Sequence, residues 1–202
     1  MIKVRSPEST LRFAHVLRLH SREPASRDPV HRGNQFAAEA ARRASKRRRL
    51  LVCQSLRRFT TSKQTLIPTT LSHVNFVVYD RDWEAGFTER IEKLEDIVVS
   101  YVKNHSLNFE VPYEYGGETY RYRPDFIVRL GSEDARPVNV VVEVKGQRDA
   151  KDAAKADTMR KVWIPAVNNA GRFGRWDFLE LTDIPYDIED RLRAFARQRV
   201  AA

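Results

Sequence analysis

The sequence lacks the residues on which several common classes of protein depend. It contains one cysteine, Cys53, and five histidines among 202 residues, which excludes a disulfide framework or a cysteine-rich zinc site and argues against a histidine-built metal site. No stretch approaches the ~18 uncharged apolar residues that a membrane-spanning helix needs, so we expect no membrane partner. The phosphate-binding pattern G-x-x-x-x-G-K-[ST] is also missing, and with it any recognisable ATP-driven motor.

The excess positive charge lies at the N-terminal end of the chain. The whole sequence has 36 Lys+Arg and 27 Asp+Glu, a formal net charge of +9. Residues 1–65 hold 16 of the basic and 4 of the acidic residues, which leaves 20 basic and 23 acidic residues, a net charge of −3, in residues 66–202. A nucleic-acid interaction inferred from net charge therefore applies only to the N-terminal third.

Residues 1–68 are expected to form a basic arm of low order, because they contain few aromatic side chains to bury. The stretch 35–56 is compatible with a basic helix. Clustered Lys and Arg side chains would suit a phosphate-binding tail, and the Arg-rich, acid-poor composition also fits a transit peptide. A mis-assigned start or a non-native fusion is a further interpretation, and the sequence leaves all of them open.

Residues 69–202 show the pattern of a layered, mixed α/β domain. Strands are predicted at 73–79, 109–115, 118–130, 138–145 and 176–181, with a hairpin turn at Gly116 and Gly117. One helix is predicted from residue 82 to 101 along an apolar stripe, and another from 149 to about 163, with Pro165 kinking or ending it. A last helix is predicted from about 186 to 199 with three side chains directed inward: Ile188, Leu192 and Phe195.

Three charged residues interrupt strands that are otherwise apolar. Asp125 follows Pro124 and opens one strand, whereas Glu143 and Lys145 lie at the end of a valine-rich one. Buried charges are costly unless they are paired or bind a metal, and residues two apart in a strand share a face. If the two strands are neighbours, two carboxylates and one ammonium group converge. Such a set suits Mg²⁺, with the lysine placed to orient or deprotonate a water molecule.

These motifs, taken together, resemble the PD-(D/E)xK nuclease superfamily. The resemblance is carried by Pro-Asp at 124–125, Glu-Val-Lys at 143–145 and Trp-Ile-Pro-Ala-Val-Asn-Asn at 163–169, with supporting segments at 73–76, 82–84 and 174–176. Their combination, over about residues 71–186, is similar to the C-terminal endonuclease domain of type III restriction enzyme cleavage (Res) subunits. The resemblance implies a restriction-endonuclease-like core of order α-β-β-β-α-β, with a mixed central sheet flanked by helices and a C-terminal helix.

The same resemblance implies a function and a set of site residues. It predicts a cytoplasmic, Mg²⁺-dependent endonuclease that hydrolyses phosphodiester bonds in double-stranded DNA. Asp125 and Glu143 would be catalytic, metal-binding carboxylates, a backbone carbonyl near Val144 would complete the protein ligands, and Lys145 would be the catalytic lysine. Candidates for assisting the metal are Glu89, slightly favoured, and Glu84; candidates for binding DNA are Arg121, Arg123, Arg172 and Arg175.

The family's cleavage subunits carry a helicase motor ahead of this domain, and the sequence has none. We therefore expect either a fragment or a chain that works with a separate helicase or modification subunit. An acidic residue is also common in the family where Gly86 stands here. These departures leave open a catalytically silent fragment, or an interaction module that retains the nuclease fold. A third hypothesis is a nucleic-acid-binding protein that acts through its basic arm.

Overall fold

The structure of the protein, a computed structural model, describes residues 2–3, 58–59, 61–105, 107, 109–131, 137–145, 149–182 and 188–200. The predicted helix at 35–56 and most of the basic arm lie outside the described residues. None of the helices in the described ranges is both long and apolar enough to span a bilayer. The fold is mixed α/β around a mixed central sheet, which confirms the predicted class.

Ten strands and four helices follow one another along these ranges. The strands are β1 Ile2–Lys3, β2 Arg58–Phe59, β3 Leu66–Pro68, β4 Phe76–Val78, β5 Val98–Lys103, β6 Val111–Tyr115, β7 Glu118–Tyr122, β8 Phe126–Leu130, β9 Val138–Lys145 and β10 Arg175–Thr182. The helices are α1 Asp82–Ile91, α2 Ala150–Thr158, α3 Ile164–Asn169 and α4 Ile188–Val200, with a π-helical turn, Met159–Trp163, between α2 and α3.

The central sheet has the strand order β10-β9-β8-β5. Strand β9 runs parallel to β10 and antiparallel to β8, and β8 runs antiparallel to β5. Strands β6 and β7 form a separate antiparallel hairpin, turned as predicted by Gly116 and Gly117 with φ of 61° and 81°. Strands β1 and β2, and likewise β3 and β4, form two further small antiparallel sheets.

Strand β9 is valine-rich because both of its faces are covered. Val140 and Val142 belong to the core that includes α1 and α4, whereas Val141 belongs to the core beneath α2 and the π-helical turn. A strand buried on both faces reads as a near-continuous apolar run. The inward placement of the α4 side chains is confirmed, since Ile188 and Leu192 are wholly buried and Phe195 packs against the first of these cores.

The helix predicted from 82 to 101 is wrong beyond its first ten residues. Helix α1 ends at Ile91, and Val98 begins strand β5, which pairs with β8. Leu94 is buried in the connection between them, where its carbonyl accepts the Val98 N–H at 2.8 Å. The apolar residues at every third or fourth position are therefore buried, but they belong in turn to a helix, a connection and a strand. The β-branched pair Val98-Val99 favours the strand.

Two further boundaries differ from prediction. The strand predicted at 118–130 is divided at residues 123–125 into β7 of the hairpin and β8 of the central sheet. Pro165 does not end its helix, because the π-helical turn precedes it and the Ile164 N–H bonds the Met159 carbonyl. The proline then occupies the first turn of α3, where a missing N–H group leaves no hydrogen bond unmade.

The buried imidazole of His73 predicts a loss of stability in acid. Burial lowers the pKa of His73 to about 4, although a hydrogen bond with the Tyr101 backbone opposes the shift. Between pH 6.5 and 4 the unfolded chain therefore takes up a proton that the folded protein does not bind, so the free energy of unfolding falls as the pH falls. We expect His73→Gln to remove up to about 3 kcal/mol of this decline. Urea titrations at several pH values measure it, and parallel curves for the two proteins would contradict the assignment.

Candidate active site

Two neighbouring strands bring Asp125 and Glu143 together. Phe126 of β8 lies opposite Val142 of β9, so the next position in the register sets Asp125 beside Glu143. The Val144 N–H donates a hydrogen bond to Asp125 Oδ2 at 2.9 Å. The Pro-Asp and Glu-Val-Lys segments, which lie far apart in the sequence, thus meet at one end of the central sheet.

Both carboxylate oxygens of Glu143 have partners. Its side chain is 6% exposed, and its Oε1 lies 2.7 Å from the Lys145 ammonium nitrogen. Its Oε2 accepts a hydrogen bond from the Tyr122 hydroxyl at 2.6 Å. Burial, followed by the charge of Glu143, raises the pKa of Tyr122 well above 10, so this hydroxyl remains a donor. The carboxylate is therefore held from two sides, by the hairpin and by its own strand.

Lys145 lies between two carboxylates. Its Nζ is 2.7 Å from Glu143 and 3.2 Å from Asp152 Oδ1, and its side chain is 18% exposed. Burial lowers the pKa of Lys145, but the charges of Glu143 and Asp152 outweigh burial and leave the pKa above 10.5. Lys145 is consequently an ammonium ion at neutral pH, suited to orienting a water molecule or neutralising negative charge.

Asp152 comes from helix α2 and belongs to a helix cap. Its backbone N–H bonds Asp149 Oδ1 at 2.7 Å, while its Oδ2 accepts the Asp149 N–H at 3.3 Å. Its Oδ1 also lies 2.7 Å from the Lys155 ammonium nitrogen. Burial raises the pKa of Asp152, but Lys155, the Asp149 N–H and Lys145 together lower it to about 2. Asp152 is therefore ionised across the physiological range.

Asp125 has the weakest compensation of the site carboxylates. Burial and then the charge of Glu143 raise the pKa of Asp125 to about 7; the Val144 N–H opposes this shift, Glu84 adds to it, and Lys145 opposes it. Like charges around a partly buried carboxylate produce such a shift. One more cation at this position would relieve the repulsion.

The two candidate glutamates of helix α1 lie in different environments. Glu84 is buried and forms an ion pair with Lys103 at 2.7 Å, with side-chain exposures of 9% and 8%. Its Oε2 also accepts the Asp80 N–H at 2.8 Å, and its charge acts on Asp125. Glu89 lies on the exposed side of the helix. The structure thus associates Glu84 with the site and Glu89 with the solvent.

The donor groups at the sheet end fit a divalent ion of the Mg²⁺ type. Asp125 and Glu143 supply carboxylate oxygens, which hard cations prefer. In an antiparallel strand, the N–H and C=O groups of one residue point toward the same neighbouring strand. Because the Val144 N–H contacts Asp125, the Val144 carbonyl faces the same direction. In the described part of the chain, no group of three or more His, Cys, Asp and Glu side chains is placed to hold a metal. A metal here would rely on two carboxylates and the backbone.

The candidate DNA-binding arginines fall into two places. Arg121 and Arg123 flank Tyr122 near the site, and both form ion pairs with Glu110, at 3.0 and 2.6 Å. Arg175 lies opposite Val138 at the other end of β9, about 16 Å along the strand from Glu143. Arg172 is exposed in the loop before it. The first pair therefore adjoins Tyr122, which contacts Glu143.

Three residues that contact the site were not predicted from the sequence. Tyr122 donates to Glu143, Asp152 binds Lys145, and Lys155 binds Asp152. A signal for Asp152 was present, because it shares a helical stripe with buried residues of α2 and the π-helical turn: Ala156, Met159 and Trp163. A charge in such a stripe marks a position at which a carboxylate is buried and requires a partner.

No protein-family model, no curated protein and no solved structure matches this chain. The resemblance to PD-(D/E)xK nucleases accordingly rests on the motifs and stays a prediction. What the geometry provides is a set of two carboxylates, a backbone carbonyl and an ammonium group at one end of the central sheet.

The Tyr122–Glu143 hydrogen bond predicts a measurable stabilisation. Tyr122→Phe removes the hydroxyl that donates this hydrogen bond and leaves the buried Glu143 Oε2 without this donor. We expect the free energy of unfolding to fall by about 1.5–3 kcal/mol, the usual range for a hydrogen bond to a charged group. Tyr120→Phe is the matched control, since its hydroxyl bonds Glu118 in solvent, and we expect a change below about 0.5 kcal/mol. Equal losses in urea denaturation would contradict the assignment.

Proposed function

We propose that the protein is a Mg²⁺-dependent endonuclease that hydrolyses phosphodiester bonds in double-stranded DNA. The observation that carries the proposal is the meeting of Asp125, Glu143 and Lys145 at the end of two adjacent central strands. Packing does not require charges there, and burying them is costly. A metal- and phosphate-binding role accounts for both the residue types and their placement.

The order of elements supports a restriction-endonuclease-like core. Helix α1 is followed by β5, β8 and β9 of the central sheet, then by the α2–α3 helical segment and β10. The β6–β7 hairpin is inserted between the first two of these strands. We propose on this basis that the domain is the cleavage part of a type III-like restriction-modification system, acting in the cytoplasm with a separate helicase or modification subunit.

The residues divide the chemistry between them. Asp125, Glu143 and the Val144 carbonyl would hold Mg²⁺, which when bound polarises a phosphate and lowers the pKa of a bound water. The Lys145 ammonium has three N–H donors, of which Glu143 and Asp152 engage two. The third is available to orient the attacking water or to donate to a phosphate oxygen, where it would stabilise the charge that develops in the transition state.

A catalytically silent domain is the second candidate. The observation in its favour is that both Glu143 oxygens already accept contacts, from Tyr122 and Lys145. In a silent domain these contacts would only compensate a buried charge. The two candidates differ in whether the site binds Mg²⁺ and cleaves DNA.

Cleavage of supercoiled plasmid DNA tests the proposal. We expect nicking or linearisation with Mg²⁺ and none with EDTA, and a fall in rate of at least about 100-fold for Glu143→Ala and Lys145→Ala, because each removes a group that stabilises the transition state. Lys161→Ala is the matched control, since Lys161 is 70% exposed and pairs with the exposed carboxylate of Asp157. Calorimetry should show that Lys145→Ala retains Mg²⁺ binding and that Glu143→Ala loses it.

The outcomes separate the two candidates. Cleavage that persists in Lys145→Ala would remove the role assigned to this lysine. If the wild-type protein binds Mg²⁺ and Glu143→Ala does not, yet the wild type fails to cut DNA, the site is competent but requires its partner subunit. A wild-type protein that neither binds Mg²⁺ nor cuts DNA would favour the silent domain.

Metal affinity also distinguishes the two glutamates of helix α1. Glu84→Gln removes a charge that acts on Asp125, and we expect Mg²⁺ binding to weaken by about 10-fold, the lower end of the usual effect of altering a group around a metal site. Glu89→Gln, on the exposed side, should leave the affinity unchanged. Calorimetric titration of both variants, with circular dichroism to verify folding, measures the difference. Equal affinities would mean that Glu84 does not assist the metal.

A further inference from the structure

Five groups form a closed polar ring beside the proposed site. Tyr122 donates to Glu143, Glu143 pairs with Lys145, and Lys145 pairs with Asp152. Asp152 pairs with Lys155, whose ammonium nitrogen lies 5.8 Å from the centre of the Tyr122 ring. These five side chains link strand β9, the hairpin and helix α2. Asp152 is the one carboxylate among them that is not a proposed metal ligand.

Asp152 is itself held rigidly. Its reciprocal hydrogen bonds with Asp149 form a capping box at the start of α2, and such a box satisfies backbone donors at a helix N-terminus. The side chain is 9% exposed, and its Oδ1 is shared by two ammonium groups, at 2.7 Å from Lys155 and 3.2 Å from Lys145. The carboxylate is therefore fixed before any substrate binds.

Lys145 needs such an anchor because its side chain is flexible. A lysine ends in a compact charge on a four-carbon stem, and holding it in one geometry costs conformational entropy. Glu143 alone would hold Lys145 close to the metal ligands, where the ammonium group competes with a cation for the same carboxylate. A second carboxylate, from helix α2, allows the ammonium group to stay in place without Glu143.

We propose that Asp152 is a positioning residue that holds the Lys145 ammonium group beside the proposed metal ligands. The inference rests on the proposed nuclease function and adds to it a residue from helix α2. Asp152 acts through Lys145 and touches neither the phosphate nor the metal.

A pair of variants separates this role from helix capping. Asp152→Glu and Asp152→Gln both place at the third helical position a residue that can complete a capping box, and they differ in charge. We expect single-turnover cleavage at saturating Mg²⁺ to stay within about fivefold of wild type for Asp152→Glu and to fall by about 10- to 100-fold for Asp152→Gln. Asp157→Asn is the control, since it removes an exposed carboxylate from the same helix, and should cleave at the wild-type rate.

Two readouts do not depend on cleavage. The rate of amine acylation at Lys145, followed by mass spectrometry, should rise in Asp152→Gln and stay unchanged in Asp157→Asn. The calorimetric Mg²⁺ dissociation constant should remain within about threefold of wild type in Asp152→Glu and Asp157→Asn. In Asp152→Gln it should rise by no more than about tenfold, because the Lys145 ammonium group, held by Glu143 alone, then competes with the cation.

Each outcome bears on the inference. Equal cleavage by Asp152→Gln and Asp152→Glu, with an active wild type, would overturn the positioning role and leave the proposed function intact. Loss of Mg²⁺ binding together with cleavage in Asp152→Gln would overturn it as well, because Asp152 would then act on the metal. A wild-type protein without nuclease activity, alone or with its partner subunit, would contradict the proposed function itself and this role with it.

Discussion

The buried carboxylate of Glu143 is the constraint around which the site is organised. An ionised carboxylate in an apolar strand is strongly destabilising unless donors and cations reach it. The Tyr122 hydroxyl comes from the hairpin and Lys145 comes from the same strand, and Asp152 of helix α2 contacts Lys145 in turn. Glu143 is thus joined directly to the hairpin, and to helix α2 through Lys145 and Asp152.

Asp125 is the exception to this compensation, and the exception gives the site its chemical character. The Glu84–Lys103 pair on one side and the Glu143–Lys145 pair on the other are each balanced internally. Asp125 lies among them with a backbone N–H as its hydrogen-bond donor and a pKa raised to about 7 by burial and like charges. Shifted carboxylates of this kind concentrate at functional sites, and a divalent ion would supply the charge that the surrounding side chains do not.

The parts of the fold that were predictable are those whose signals are local. Strand β9, the Gly116-Gly117 turn and the inward side chains of α4 each follow from a short run of residues. Strand β5 was missed because its partner, β8, lies more than twenty residues away, and because its apolar residues continue the spacing of the amphipathic helix. The β-branched pair Val98-Val99 was the one local signal for the strand. The proposed site residues Asp125 and Glu143 were recognisable as charges in apolar strands and as parts of the Pro-Asp and Glu-Val-Lys motifs.

A charge at an otherwise apolar position also identifies Asp152, when the positions are counted with the spacing of a helix. A charge within a valine strand stands out at once, because every neighbouring position is apolar. Helix α2 is polar over most of its surface, so a buried aspartate there is visible only against the inner stripe that it shares with Ala156 and Met159. Burial on one face of a helix leaves a weaker trace in the sequence than burial on both faces of a strand. Partners supplied by helices are consequently the part of a site that sequence patterns miss first.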